Sequence, residues 1–171
     1  MNVIHALARR RVALGFLAAV AAVVFAHPTP FTWRIGLLVA ACGEGIRIWA
    51  AGHLEKGREI TRSGPYRWAR HPLYLGSSII AAGVVLAARS VIVGVVIAIY
   101  MASTITAAVR VEEAFLTSRF GDAYDRYRES RADPMPRRFS VARAVRNREY
   151  RAAAGLVAGF ALLALKMIGY L

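Results

Sequence analysis

The sequence predicts an all-α polytopic integral membrane bundle, with about five transmembrane helices and a cytoplasmic amphipathic helix. Three observations carry the expectation. Hydrophobic residues make up 57% of the 171 positions. The formal net charge is nevertheless +13, so apolar and cationic residues must be segregated along the chain. The Lys and Arg residues also fall on alternate connections between the apolar runs, as the positive-inside rule requires.

A helix that crosses a bilayer needs roughly 17 to 25 residues. The apolar segments are Val12 to Ala26, Ile35 to Ala51, Leu73 to Ala88, Val91 to Val109 and Ala152 to Leu171. The first is short, and needs snorkelling by Arg9, Arg10 and Arg11 and an interfacial His27-Pro28-Thr29-Pro30. Its basic start, compact apolar run and small residues at Val24 and Ala26 also fit a secretory signal cleaved before His27. Retention as a span is the reading adopted.

Three cations lie in the N-terminal stretch, five between His53 and Pro72, and eleven between Arg110 and Arg151. These stretches share one side, which puts the N-terminus in the cytoplasm and the C-terminus outside, in a membrane of the bacterial cytoplasmic type. The expected partner of the basic segments is a bilayer with anionic headgroups, and nucleic acid is not needed to explain the charge.

Cys42, the single cysteine, allows no intrachain disulfide and reads as a small packing residue. His5, His27, His53 and His71 show no metal-ligand spacing, and there is no glycine-rich phosphate loop. No metal is therefore expected. Without an internal repeat or long linker, residues 1–171 read as one domain.

The richest stretch is Gly64-Pro65-Tyr66-Arg67-Trp68-Ala69-Arg70-His71-Pro72-Leu73-Tyr74-Leu75-Gly76, at the mouth of the third span. Charged groups at a membrane boundary are costly unless solvated, paired or used. Gly64-Pro65 stops a preceding helix, and Pro72 suits the first turn of the next, whose unpaired N–H groups favour an anionic ligand. Spans three and four are joined by a short turn and form an antiparallel hairpin, which sets His71 and Tyr74 opposite Glu112 and Glu113.

Adjacent residues on a helix point about 100° apart, so one glutamate faces the pocket and the other pairs with Arg110 or Arg119. Gly76, Gly83 and Ala87 give the third span a small-residue edge for close backbone approach. Tyr66, Trp68 and Tyr74 also suit an aromatic belt, and Arg67 a headgroup anchor. In the second span, Glu44 and Arg47 share a face, which suits an ion pair, with Arg47 reaching the cytoplasmic pocket as the alternative. After the fourth, Glu113, Leu116, Phe120, Tyr124 and Tyr127 recur at helical spacing, an amphipathic helix ended by Asp133-Pro134.

The runs Arg47-Ile48-Trp49-Ala50-Ala51-Gly52, Ser63-Gly64-Pro65-Tyr66, Arg70-His71-Pro72-Leu73-Tyr74-Leu75-Gly76, Glu112-Glu113-Ala114-Phe115-Leu116 and Phe120-Gly121-Asp122-Ala123-Tyr124-Asp125-Arg126-Tyr127 together resemble the isoprenylcysteine carboxyl methyltransferase and phospholipid methyltransferase superfamily. The resemblance covers residues 35–136 and leaves the last span outside it. It implies an S-adenosylmethionine-dependent membrane methyltransferase. Tyr66, His71, Pro72, Tyr74, Gly76, Glu112 and Glu113 would bind the cofactor, and Arg70 and Glu113 would act catalytically on a lipophilic carboxylate, amine or thiol acceptor. Where relatives follow the tyrosine pair with Val-Pro, this chain has Ser130 to Pro136, which leaves the acceptor boundary open. A nicotinamide-dependent sterol-type reductase and a non-catalytic scaffold are the alternatives. Gly155 and Gly159 in the last span form a face compatible with a homodimer.

Overall fold

A computed structural model describes residues 3–169, with side chains from residue 13 onward. Arg9, Arg10, Arg11 and the end of the last span therefore lie partly or wholly outside the described side chains. Among the described residues every regular element is a helix: α1 (Val3–Phe25), α2 (Pro30–Ala51), a 3₁₀ turn (Gly64–Arg67), α3 (Pro72–Ala88), α4 (Val91–Phe120), α5 (Asp122–Arg128), α6 (Val141–Arg146) and α7 (Tyr150–Met167).

The helix ends follow from local chemistry. Thr29 caps α2 through a reciprocal pair, its hydroxyl accepting from Thr32 N at 3.2 Å while Thr32 Oγ1 accepts from Thr29 N at 3.0 Å, and Pro30 supplies the fixed φ of the first turn. Arg89 ends α3 in the left-handed region at φ 48°, and Ser90 caps α4 through Val93 N. The α3–α4 turn is therefore tight and antiparallel, as the sequence leads one to expect.

The closest helix pair is α2 with α3. The small-residue edge of α3 faces α2, not α4. A Cβ on Gly76 would lie 2.7 Å from the Gly43 carbonyl oxygen, and one on Gly83 would lie 2.6 Å from Ala40 N. Gly36 and Gly43 on α2 complement Gly83 and Gly76 on α3, so the two backbones meet where neither carries a side chain. α4 packs chiefly on α1, where a Cβ at Gly15 would lie 2.9 Å from the Tyr100 hydroxyl.

The buried core joins Ala22, Ala40, Ala87, Val93, Phe160 and Leu163, and the Trp33 indole N–H donates to the Phe160 carbonyl at 3.0 Å. α7 is thereby held against α2. The outer faces remain apolar and exposed, at Phe16, Ile99 and Val157 for example, which is the surface a lipid phase would cover. Cys42 lies on such an exposed face and is not a packing residue. Gly155 and Gly159 have nothing within 4 Å of a Cβ position.

Two helices, α4 and α7, are long and apolar enough to cross a membrane, and Ala13–Phe25 and Pro72–Ala88 are shorter apolar helices. α2 is long enough but carries Arg34, Glu44 and Arg47. The fourth apolar run, expected over Val91 to Val109, is part of a longer helix. α4 continues for 30 residues to Phe120, and the break comes at Gly121, at φ 46°. α5 then ends at Arg128, short of the expected Asp133-Pro134, because Ser130 turns the chain at φ 58°.

Candidate active site

Gly64 takes φ 55°, a region costly for other residues, and a Cβ there would meet the ring of His53. Pro65 then starts the 3₁₀ turn, and Tyr66 is buried under α5, where the Tyr127 hydroxyl donates to the Tyr66 carbonyl at 2.9 Å. Trp68 remains exposed, against Trp49 at 5.7 Å between ring centroids. Pro72 is the first residue of α3 and is buried. His71 occupies the N-cap position but makes no side-chain capping bond, so its imidazole is available elsewhere.

That imidazole joins the two segments. Glu113 Oε1 lies 3.3 Å from both Arg70 Nη1 and His71 Nε2. Glu112 Oε2 accepts from the Tyr74 hydroxyl at 2.9 Å and lies 3.9 Å from His71 Nδ1. The two glutamates thus diverge on α4 and yet reach opposite nitrogens of one ring. Neither pairs with Arg110 or Arg119; Arg70 takes that part. The His71 side chain is 17% exposed, Glu113 32% and Glu112 42%, so the cluster opens onto a surface.

Behind it stand three tyrosines. Tyr124 is buried, its hydroxyl has no hydrogen-bond partner among the described residues, and burial together with nearby Glu113 holds its pKa above the ordinary value against the opposing pull of Arg70. Burial, then Tyr124, pushes Tyr127 up to about 12. Burial and the Glu112 charge raise Tyr66 further. All three stay neutral donors at physiological pH.

The structure therefore brings Arg70, His71, Tyr74, Glu112 and Glu113 together, with Tyr66 beneath the neighbouring turn. Gly76 is turned to α2, where its Cβ position would meet the Arg47 side chain. Arg47 does pair with Glu44, at 3.7 Å, but its closer partner is Glu149 at 2.7 Å. Its guanidinium also donates to the Leu73 carbonyl at 3.4 Å and to Ser77 Oγ. The first turn of α3 is thus fixed on one face by Arg47 and presents His71 and Tyr74 from the other. Glu149 and Tyr124 escaped attention as site neighbours. Tyr124 carried a signal, its helical spacing from Glu113, whereas nothing near Glu149 pointed to Arg47. Among the described residues no three His, Cys, Asp or Glu side chains converge as a metal-ligand group.

Comparison with known proteins adds a family. Residues 44–123 match the phospholipid methyltransferase family. A curated relative, the cobalt-zinc-cadmium resistance protein CzcN of Cupriavidus metallidurans, is 31% identical over 94 residues, which is 54% of this chain. The chain spans 44% of that relative's length. No solved structure matches.

Proposed function

Residues 44–123 match the phospholipid methyltransferase family, and from that match we propose that the chain is an S-adenosylmethionine-dependent methyltransferase of a lipophilic or membrane-associated acceptor. The family and the two long apolar helices support a membrane methyltransferase in coarse outline. The observation that carries the finer reading is the bridge from Glu113 to both Arg70 and His71, with Glu112 held by Tyr74 beside it.

The donor set fits a zwitterionic sulfonium cofactor. Glu112 and Glu113 each offer a carboxylate to an ammonium group. The N-terminus of α3, uncapped by any side chain, and Arg70 offer the complementary positive end to a carboxylate. The partnerless Tyr124 hydroxyl leaves one neutral polar group to spare at the back of the cluster. When bound, S-adenosylmethionine supplies a methyl group on a positively charged sulfur, a leaving group that needs no protein acid.

What remains for the chain is positioning and proton handling. Arg70 is shared with Glu113 and is the side chain placed to orient an acidic acceptor. An amine or thiol acceptor must lose a proton, and His71 or the Glu113 carboxylate can take it. A carboxylate acceptor needs no base, and positioning alone then contributes most of the rate. The five-span arrangement, with this cluster on the cytoplasmic side and the C-terminus outside, belongs to the same proposal and rests on the distribution of Lys and Arg.

Calorimetric titration of S-adenosylmethionine and its demethylated product into detergent-purified protein tests the reading, with NADPH beside them. Binding of the sulfonium pair alone supports it. Binding of NADPH turns it into the sterol-type reductase, and binding of neither leaves a non-catalytic scaffold.

A further inference from the structure

A second polar recess lies on the α4–α5 side of the molecule. It has a volume of about 390 Å³ and is lined by Arg58, Arg62, Arg126 and Arg131, with Phe120 and Met135 as its main apolar wall. Ionisable groups in its lining also include Glu59 and Asp133. Its walls come from three stretches of chain that are tied together. Met135 N donates to the Arg62 carbonyl at 3.2 Å, Arg131 N to the Arg126 carbonyl at 2.8 Å, and Arg137 to the Glu59 carboxylate at 2.8 Å.

The charges do not cancel. Glu59 is engaged by Arg137 outside the lining, and Arg131 by Glu129. Arg58, Arg62 and Arg126 have no carboxylate within ion-pair distance among the described residues, and Asp133 alone opposes them. Three guanidiniums line the same recess, Arg58 and Arg126 from exposed positions and Arg62 from a partly buried one, and each is a planar fork of donors of the kind that matches phosphate oxygens. A phosphodiester with one negative charge would leave the recess cationic. A phosphomonoester or a diphosphate, which carries two or more, would bring it near neutrality. The volume is in the range of small-molecule sites, so it holds such a group together with part of what bears it.

We propose that this recess is a binding site for a phosphomonoester or diphosphate group. It is distinct from the Glu112–Glu113 cluster, although the same helix joins them: Phe120 lies seven residues beyond Glu113, about 10 Å along α4 at the rise of an α-helix. The site does not depend on methyl transfer, and its occupancy is measured without cofactor.

The test is calorimetry on the full-length detergent-purified chain with inorganic pyrophosphate, short-chain phosphatidic acid and short-chain phosphatidylglycerol as probes. Pyrophosphate or phosphatidic acid is expected to bind at least ten-fold more tightly than phosphatidylglycerol. The Arg62→Gln/Arg126→Gln double variant is expected to lose ten-fold or more in that affinity, the exposed Arg58→Gln alone about three-fold, and Arg151→Gln, away from the recess, nothing. Stronger binding of phosphatidic acid than of pyrophosphate assigns the site to a lipid-borne phosphate, and the reverse order to a soluble one. Equal binding of the diester, an unchanged affinity in both recess variants, or no binding of any probe at millimolar concentration overturns the proposal. Arg58→Gln keeps the test decisive if the double variant fails to fold.

Discussion

Arg47 Nε lies 2.7 Å from Glu149 Oε1, a contact between side chains 102 positions apart that ties α2 to the segment entering α7. Both side chains are largely shielded, and Arg47 also holds the Leu73 carbonyl at the start of α3. Removing one partner of a buried ion pair costs about 3–5 kcal/mol, because the other is left unpaired. Glu44 remains 3.7 Å from Arg47, so Glu149→Gln is expected at or below the lower end of that range and the Glu44→Gln/Glu149→Gln pair well within it. Thermal unfolding midpoints in detergent check the order. An Arg47→Ala variant no less stable than wild type would remove Arg47 as the post that fixes α3.

The shared carboxylate predicts a specific loss of binding. Glu113→Gln and His71→Ala each remove one side of the bridge at 3.3 Å, where the Glu113 side chain is 32% exposed and that of His71 17%. Each is expected to weaken S-adenosylmethionine at least ten-fold, about 1.4 kcal/mol, with the unfolding midpoint unchanged. Titration calorimetry on the folded variants reads this directly, and unaltered affinity in both would mean the cofactor binds elsewhere.

Glycine at 76 and 83 is a packing requirement. A Cβ at Gly76 would lie 2.6 Å from Arg47 Cγ, and one at Gly83 would lie 2.6 Å from Ala40 N, the second against rigid backbone. Overpacking of this kind costs about 1–3 kcal/mol. Gly83→Ala is expected to be the worse of the two, since its Cβ would meet two α2 backbone atoms, Gly36 O at 2.5 Å and Ala40 N at 2.6 Å, whereas that of Gly76 would meet one, Gly43 O at 2.7 Å, beside an Arg47 stem that can shift. Unfolding midpoints that rank them the other way would contradict the α2–α3 contact.

The site was more legible than the packing that supports it. His71 and Tyr74 are three residues apart at a helix start, and a short turn brings Glu112 and Glu113 opposite them; the first relation is local, the second follows from one tight hairpin, and the structure shows both. The glycine edge of α3 was equally visible, but an edge does not name its partner. Gly36 and Gly43 lie across the loop on α2, and only the fold matches them to Gly83 and Gly76. Glu149 was hidden for a related reason: a carboxylate in an arginine-rich stretch has many nearer cations to choose from. The continuation of α4 past Val109 was missed because helical periodicity does not change where a membrane ends.

Tyr124 separates stability from binding. Its hydroxyl is buried without a partner, so the folded state bears the loss of its hydration with no bond in return. Tyr124→Phe is accordingly expected to leave the unfolding midpoint unchanged or higher. A fall in stability would show that the hydroxyl has a partner in solution.

Acid should loosen the loop that carries the site. His53 is buried, its Nδ1 lies 3.1 Å from Ser63 Oγ, and its pKa is held below the ordinary histidine value by burial first and then by Arg143 and Arg137. Folding therefore favours the neutral ring, and the unfolded state binds the proton more readily. The resulting stability is complete above the unfolded value near 6.5 and is lost as pH falls below it toward the folded value. Glu55, hydrogen-bonded by Arg143, has its pKa lowered as well, and it acts in the same direction at lower pH, below its ordinary 4.5. As pH falls from 7.5 to 5.5 the His53 contribution is therefore expected to be lost before that of Glu55. The unfolding midpoint should drop across that interval in the wild type and drop less in His53→Gln, whose side chain does not titrate. Equal slopes in the two proteins would show that His53 is not the group that senses the proton, and that the anchoring of Gly64 above its ring is indifferent to pH.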